Sequence, residues 1–309
     1  MSTLLLSHTA CLEHATPPGH PERADRLRAV AEALSAERFQ YLVRAEAPEG
    51  TLDHVALCHQ EHYVTELRHV APSNGLVYLD GDTSMSPGTW EAVMRGVGGA
   101  VAATDAVMSG DHDNAFVAIR PPGHHAETNK PMGFCFFDNA AIAARHAQRK
   151  YGIGRAAVVD FDVHHGNGTQ DIFWADKTVM YCSTHQMPLF PGTGSASERG
   201  EHDTIVNAPL ASEDGGMEFR AAFENRILPH LEKFAPELII ISAGFDAHYR
   251  DPLASLNLRA EDFSWVTRRL MDVAAKSAGG RIVSVLEGGY DLQGLKESVA
   301  AHVGALMGA

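Results

Sequence analysis

The chain is 309 residues long, 45% hydrophobic and 21% charged, and its formal net charge is −14 with 18 histidines counted as neutral. These values suit a globular protein with a substantial core, and they exclude a broad basic surface for nucleic acid. An acidic balance favours cationic substrates instead. The opening stretch, MSTLLLSHTACLEHATPPGHPER, has a short apolar run and no charged leader, so no signal peptide is expected. No later stretch approaches the ~20 apolar residues needed to span a bilayer. The four cysteines, Cys11, Cys58, Cys135 and Cys182, are far apart and form no CxxC pair. They indicate neither a disulfide framework nor a thiolate zinc cage, and a reducing cytoplasm is expected.

In chain order, the sequence predicts a helix over 87–108, a strand over 115–119 that runs into RPPGHH, and a helix over 139–150. A strand over 156–163 carries DFDVHHGNG at its end, and another follows over 178–182. A helix over 217–234 precedes a strand over 238–242 that runs into AGFDA. A helix over 260–278 and a strand over 282–286 leading into EGGY complete the pattern. Near-continuous apolar strands alternating with helices predict a parallel sheet covered on both faces. No repeat or linker-like segment interrupts the alternation, so one α/β domain over residues 1–309 is expected. In open α/β sheets ligands bind beyond the carboxyl ends of the strands, which places all four polar clusters on one rim.

The segment Asp160-Phe161-Asp162-Val163-His164 alternates polar and apolar residues. In a strand, that period puts Asp160, Asp162 and His164 on one face, where two carboxylates and an imidazole suit a metal ion. Asp246 is a plausible further ligand, and three protein ligands with an open position make a catalytic zinc site. The bland alternative is that these acids cap adjacent helices. His124 and His125 follow the Pro121-Pro122-Gly123 turn and could serve as base and electrostatic partner, or could be two loop histidines. Tyr290, after Gly288-Gly289, could donate to an oxyanion or simply pack in the core.

Together, RPPGHHAETNKPMGFCFFDNAAIAA, VVDFDVHHGNGTQDIF, LFPGTGS, ISAGFDAHYRDPL and LEGGYDL resemble the zinc-dependent histone deacetylase family. GHPER resembles its class II and bacterial members, and the likeness runs from about residue 4 to about residue 305. The resemblance implies the arginase/deacetylase fold, a three-layer α/β/α domain around a parallel sheet. It implies one catalytic zinc on Asp162, His164 and Asp246, with His125 as base and then acid. His124 would be its electrostatic partner, hydrogen-bonded to Asp160, and Tyr290 would polarise the amide carbonyl. Gly133, Phe134 and Phe190 would line a narrow tunnel for an acyl-lysine stem, with Leu253 and Gly288 close by. Arg26 would sit in an inner channel.

The resemblance also implies a potassium site on Asp160, Ser183 and the carbonyls of Asp162, His164 and Thr184. A second would use carbonyls near Phe173, Asp176, Val179 and Thr204. Asn167 stands where class I members have aspartate, and its neutral amide should leave His125 less basic than His124. The implied substrates are acylated lysines in proteins or peptides, or acylated small amines, and hydroxamates should inhibit. Leu253, where polyamine specialists can carry an acid, disfavours a polyamine. A homo-oligomer stays open; membrane and nucleic-acid partners are not expected. Two rivals differ in kind: an arginase-like ureohydrolase, which needs a two-metal carboxylate cluster, and an inactive acyl-lysine binder.

Overall fold

The computed structural model describes residues 1–308; Ala309, the last residue of the expected domain, lies outside them. The strands are β1 (Thr3–Ser7), β2 (Val43–Glu46), β3 (Val77–Tyr78), β4 (Ser84–Met85), β5 (Asn114–Val117), β6 (Ala156–Asp160), β7 (Val179–Gln186), β8 (Ile205–Leu210), β9 (Leu238–Ala243) and β10 (Ile282–Leu286). The helices are α1 (Asp25–Leu34), α2 (Leu52–Val55), α3 (Glu61–Val70), α4 (Thr89–Ser109), α5 (Asn139–Tyr151), α6 (Asn167–Phe173), α7 (Gly216–Ala222), α8 (Leu228–Phe234), α9 (Ala260–Ser277) and α10 (Leu292–Leu306).

Among the described residues, eight strands form one sheet in the order β2-β1-β5-β10-β9-β6-β7-β8, and every neighbouring pair is parallel. The central strands β5, β6, β9 and β10 are buried along their whole length. That burial explains runs such as LIIIS in β9, which are apolar on both faces instead of alternating. Helices α4 and α5 pack together on one face, while α1, α10, α9 and α8 stack in a row on the other. The resulting apolar cluster extends from Leu4 to Leu306.

All five predicted strands and all four predicted helices exist, but two differ from expectation in ways that matter. The strand expected over 156–163 stops at Asp160. Beyond it, the Asp160 carboxylate accepts the Asp162 N–H at 3.0 Å and the Asp162 carboxylate accepts the His164 N–H at 2.9 Å. Side-chain acceptors thus replace the sheet ladder, as short polar side chains do in turns. Strand alternation therefore does not bring Asp160, Asp162 and His164 together; a carboxylate-pinned loop does.

The helix expected over 217–234 is broken into α7 and α8 by a π-helical turn at Phe223–Ile227. Pro229, in the first turn of α8, lacks an N–H and would clash with the carbonyl four residues back, and the wider turn relieves both problems. Strands β1, β2, β3, β4 and β8 and helices α1, α2, α3, α6 and α10 lie outside the sequence expectation. Several are short, and β2 is an exposed edge.

Candidate active site

The carboxyl ends of β5, β6, β9 and β10 supply the polar clusters, and the parallel register brings them to one rim. Asp162, His164 and Asp246 are all buried there, and each offers a ligand atom within 4.8 Å of the others. Backbone donors aim the carboxylates. Gly288 N–H reaches one Asp162 oxygen at 2.8 Å, and Val163 N–H reaches one Asp246 oxygen at 2.8 Å. The imidazole Nδ1 of His164 lies 3.3 Å from Asp162 and 3.2 Å from Asp246. Burial, then the neighbouring Asp162 carboxylate, pushes the Asp246 carboxyl up to about 7. Two buried acids held this close by fixed backbone donors call for a cation between them, so the set is able to hold a metal ion.

Glycines stand behind these carboxylates. A β-carbon at Gly244 would overlap Asp162, one at Gly288 would overlap both Asp246 and Asp162, and one at Gly166 would overlap Asp160.

His124 and His125 are buried, not displayed on a surface loop. His124 Nδ1 lies 2.9 Å from Asp160, and His125 Nδ1 lies 2.9 Å from the Asn167 side-chain oxygen. The Asn167 amide nitrogen donates to Glu127 at 2.8 Å, which fixes the oxygen toward His125. His125 therefore carries its proton on Nδ1 and keeps a lone pair on Nε2. Burial pushes both rings down. For His124, the carboxylates of Asp162 and Asp160 reverse this and hold it well above the ordinary histidine value. For His125, the neighbouring His124 and His164 add to burial and hold it well below. The low basicity of His125 thus comes from burial and from His124 and His164, while the Asn167 hydrogen bond acts the other way and raises it.

Sequence motifs did not single out Glu287. Its carboxylate accepts Gly123 N–H at 2.7 Å and His124 N–H at 3.2 Å, tying the histidine loop to the end of β10. Burial pushes its carboxyl up to about 8. Its sequence signal is a carboxylate at the end of a mostly apolar strand. Tyr181 is similar: its hydroxyl donates to Asp160 and accepts from Gly166 N–H, each at 3.0 Å.

Tyr290 is buried beside Phe134, with ring centroids 5.9 Å apart, and its hydroxyl has no hydrogen-bond partner among the described residues. The Arg26 guanidinium lies 4.9 Å from the Tyr290 ring and donates to the carbonyls of Gly289 at 2.6 Å and Glu287 at 2.5 Å. Glu22 pairs with Arg26 at 3.2 Å and with Arg120 at 2.6 Å, so the GHPER segment supplies a buried counter-ion that Arg26, three residues beyond it, shares with Arg120.

Gly133 and Phe134 both adopt positive φ, 55° and 69°, and Gly133 lies against the His125 ring. Phe190 is 41% exposed and stands edge-on over His125 at 5.1 Å and His164 at 6.3 Å. Leu253 is half-buried and bonded to Asp251, whose other oxygen accepts Tyr290 N–H at 2.7 Å. Of the residues expected to line a tunnel, Gly133, Phe134 and Phe190 thus lie against His125, Tyr290 or His164, and Leu253 is linked to Tyr290 through Asp251.

Asp160 pairs with Ser183 across β6 and β7, and the adjacent Thr184 hydroxyl is buried without a partner. Phe173, Asp176 and Thr204 meet through backbone and hydroxyl bonds of 3.0 and 2.7 Å, with Val179 at the start of β7.

The carboxyl rim of the sheet thus brings paired histidines beside a group able to hold a metal ion. Residues 20–306 match the family model described as the histone deacetylase domain, and the chain belongs to the histone deacetylase family. It is 38% identical over 277 residues to the histone deacetylase-like amidohydrolase of Pseudomonas aeruginosa, covering 88% of this chain and 73% of that one. It is 39% identical over 301 residues to a probable deacetylase of Archaeoglobus fulgidus, covering 95% and 83%. Histone deacetylase 14, chloroplastic, of Arabidopsis thaliana is 38% identical, with coverage of 99% and 77%. The crystal structure of the HDA15 HD domain superposes with a TM-score of 0.94 at 34% identity, covering 100% of this chain and 89% of that one. The expected arginase/deacetylase fold is therefore correct. Among the described residues, one carboxylate–histidine group suited to a metal is present, and no helix is long and apolar enough to cross a membrane.

Proposed function

We propose that the chain is a zinc-dependent amidohydrolase that removes acetyl or other acyl groups from lysine side chains or related amines. The observation that carries this reading is the convergence of Asp162, His164 and Asp246 beside two histidines of opposed basicity. The donor set, two carboxylates and one imidazole with no thiolate, fits a catalytic zinc. Bound there, zinc would supply Lewis-acid polarisation of the substrate carbonyl and of the attacking water.

The protein's own groups do the rest. His125 Nε2 takes the water proton, since its Nδ1 proton is held by Asn167. His124, kept cationic by Asp160 and Asp162, stabilises negative charge developing nearby. Tyr290 donates its hydroxyl to the oxyanion, and His125 returns the proton to the leaving amine. Gly133, Phe134, Phe190, Leu253 and Gly288 hold the substrate stem, and Arg26 lines the exit for the freed acid.

Potassium is proposed at Asp160, Asp162, His164, Ser183 and Thr184, supported by the orphan Thr184 hydroxyl, and at the Phe173, Asp176, Val179 and Thr204 carbonyls. The proposed compartment is the cytoplasm, supported by four buried, unpaired cysteines.

A peptide bearing acetyl-lysine is expected to release acetate and free amine in equal amounts, and a hydroxamate is expected to compete with it. Turnover of none of a panel of acyl-lysine peptides and acylated amines would overturn the reading. Phe134→Ala and Phe190→Ala should each lower kcat/KM by about 10- to 100-fold, the value of apolar contact to a substrate stem. Their stability loss should stay well below the about 3–5 kcal/mol of a core Phe→Ala change. A core-sized loss with unchanged kinetics would return both rings to a packing role.

A further inference from the structure

At the opposite end of the sheet from the active site, a cavity of about 1110 Å³ opens where β7 and β8 begin, beside α8. Its lining carries Arg155, Lys177, Arg199, Arg226 and Lys233 against a single carboxylate, Asp203. This is an unusual concentration in a chain whose net charge is −14. Arg199 approaches Asp203 only at 3.9 Å, with both side chains exposed, and the other four cations make no ion pair among the described residues. Five cations gathered around a hollow with one counter-ion repel one another and focus a positive potential into it.

Arg226 is the most informative of the five. It sits on the π-helical turn Phe223–Ile227. One guanidinium nitrogen donates to the Ala196 carbonyl at 2.7 Å, which anchors the side chain, while Nε is buried without a partner. A buried, unpaired guanidinium donor lining a cationic hollow lacks an acceptor. The rest of the wall mixes the polar residues His202, Thr204, Asn225 and His230 with apolar Met180, Ile205, Val206 and Phe234.

We propose that this cavity binds a small organic polyphosphate of nucleotide size, with its phosphates on the cationic wall and an aromatic or apolar group on Met180, Ile205 and Phe234. The volume slightly exceeds the usual range for sites that take drug-sized ligands. Arginine forks match phosphate oxygens, and each terminal phosphate carries up to about two charges, so a compact ligand can satisfy several cations at once. A long polyanion is disfavoured, because the rest of the acidic molecule repels it.

The proposal is tested by calorimetric titration of the full-length protein with ATP and separately with inorganic tripolyphosphate, in magnesium-free buffer at low and physiological salt. ATP is expected to bind saturably at one site per chain, more tightly than tripolyphosphate and more weakly at higher salt. Lys177→Glu with Lys233→Glu should weaken it at least about tenfold, the value of one charge-assisted contact. Arg28→Glu with Arg38→Glu, the same charge change on exposed positions of another face, should leave binding intact. Unaltered melting temperature and unaltered acyl-lysine hydrolysis would show that both variants fold. Absence of saturable ATP binding, or equal weakening by both pairs, overturns the site. Equal affinity for tripolyphosphate overturns the apolar seat.

Discussion

Thorough removal of divalent metal is expected to abolish acyl-lysine hydrolysis, and stoichiometric zinc is expected to restore it. Asp246→Ala should lower kcat/KM by at least ~10³-fold even with zinc present, because a Lewis acid supplies several kcal/mol of charge stabilisation and each 1.36 kcal/mol is tenfold in rate. Asp246→Asn separates metal binding from folding. It retains an oxygen to accept the Val163 N–H but removes one of two crowded buried carboxylates. In metal-free protein it should melt no lower than the parent, while the stabilisation that zinc gives the parent should vanish. Full activity in rigorously metal-free protein would sink the metal assignment. A drop in the melting temperature of metal-free Asp246→Asn would show that the carboxylate serves folding instead.

Tyr290→Phe is expected to lower kcat by about 100- to 1000-fold, the cost of losing one oxyanion donor. The ring would keep its contacts with Phe134 and Arg26, and because the hydroxyl bonds no described residue, stability and zinc content should not change. Steady-state kinetics beside metal analysis would check this. A kcat within a few-fold of the parent would remove Tyr290 from the chemistry.

Much of this site was legible because metal chemistry restricts residue choice: Asp162, His164 and Asp246 follow buried strands and had few other reasons to be there. The strand-to-polar-cluster pattern placed them on one rim correctly. The period-two argument for Asp160 to His164 relied on a strand that is not there, since side-chain acceptors end β6 at Asp160 and a loop brings Asp162 and His164 together. Glu287 and Tyr181 escaped notice because they act on other side chains and on backbone N–H groups, contacts that exist only after β6, β7 and β10 come together. The π turn was hidden because its cause, Pro229, also fits the first turn of an ordinary helix. Exposed β2 was invisible because its pairing with β1 comes from the fold and not from hydrophobicity.

The glycines behind the carboxylates have a practical consequence for anyone diversifying this pocket by directed evolution. Gly166, Gly244 and Gly288 each occupy a place where even a methyl group would displace a carboxylate. A combinatorial library that randomises whole loops would therefore consist mostly of dead clones, however well its substitutions suit a new substrate. Leu253 and the exposed ring of Phe190 border the same pocket without backing a carboxylate. Saturation at those two positions, with the three glycines frozen, confines variation to the part of the pocket that can change shape while the catalytic centre stays assembled.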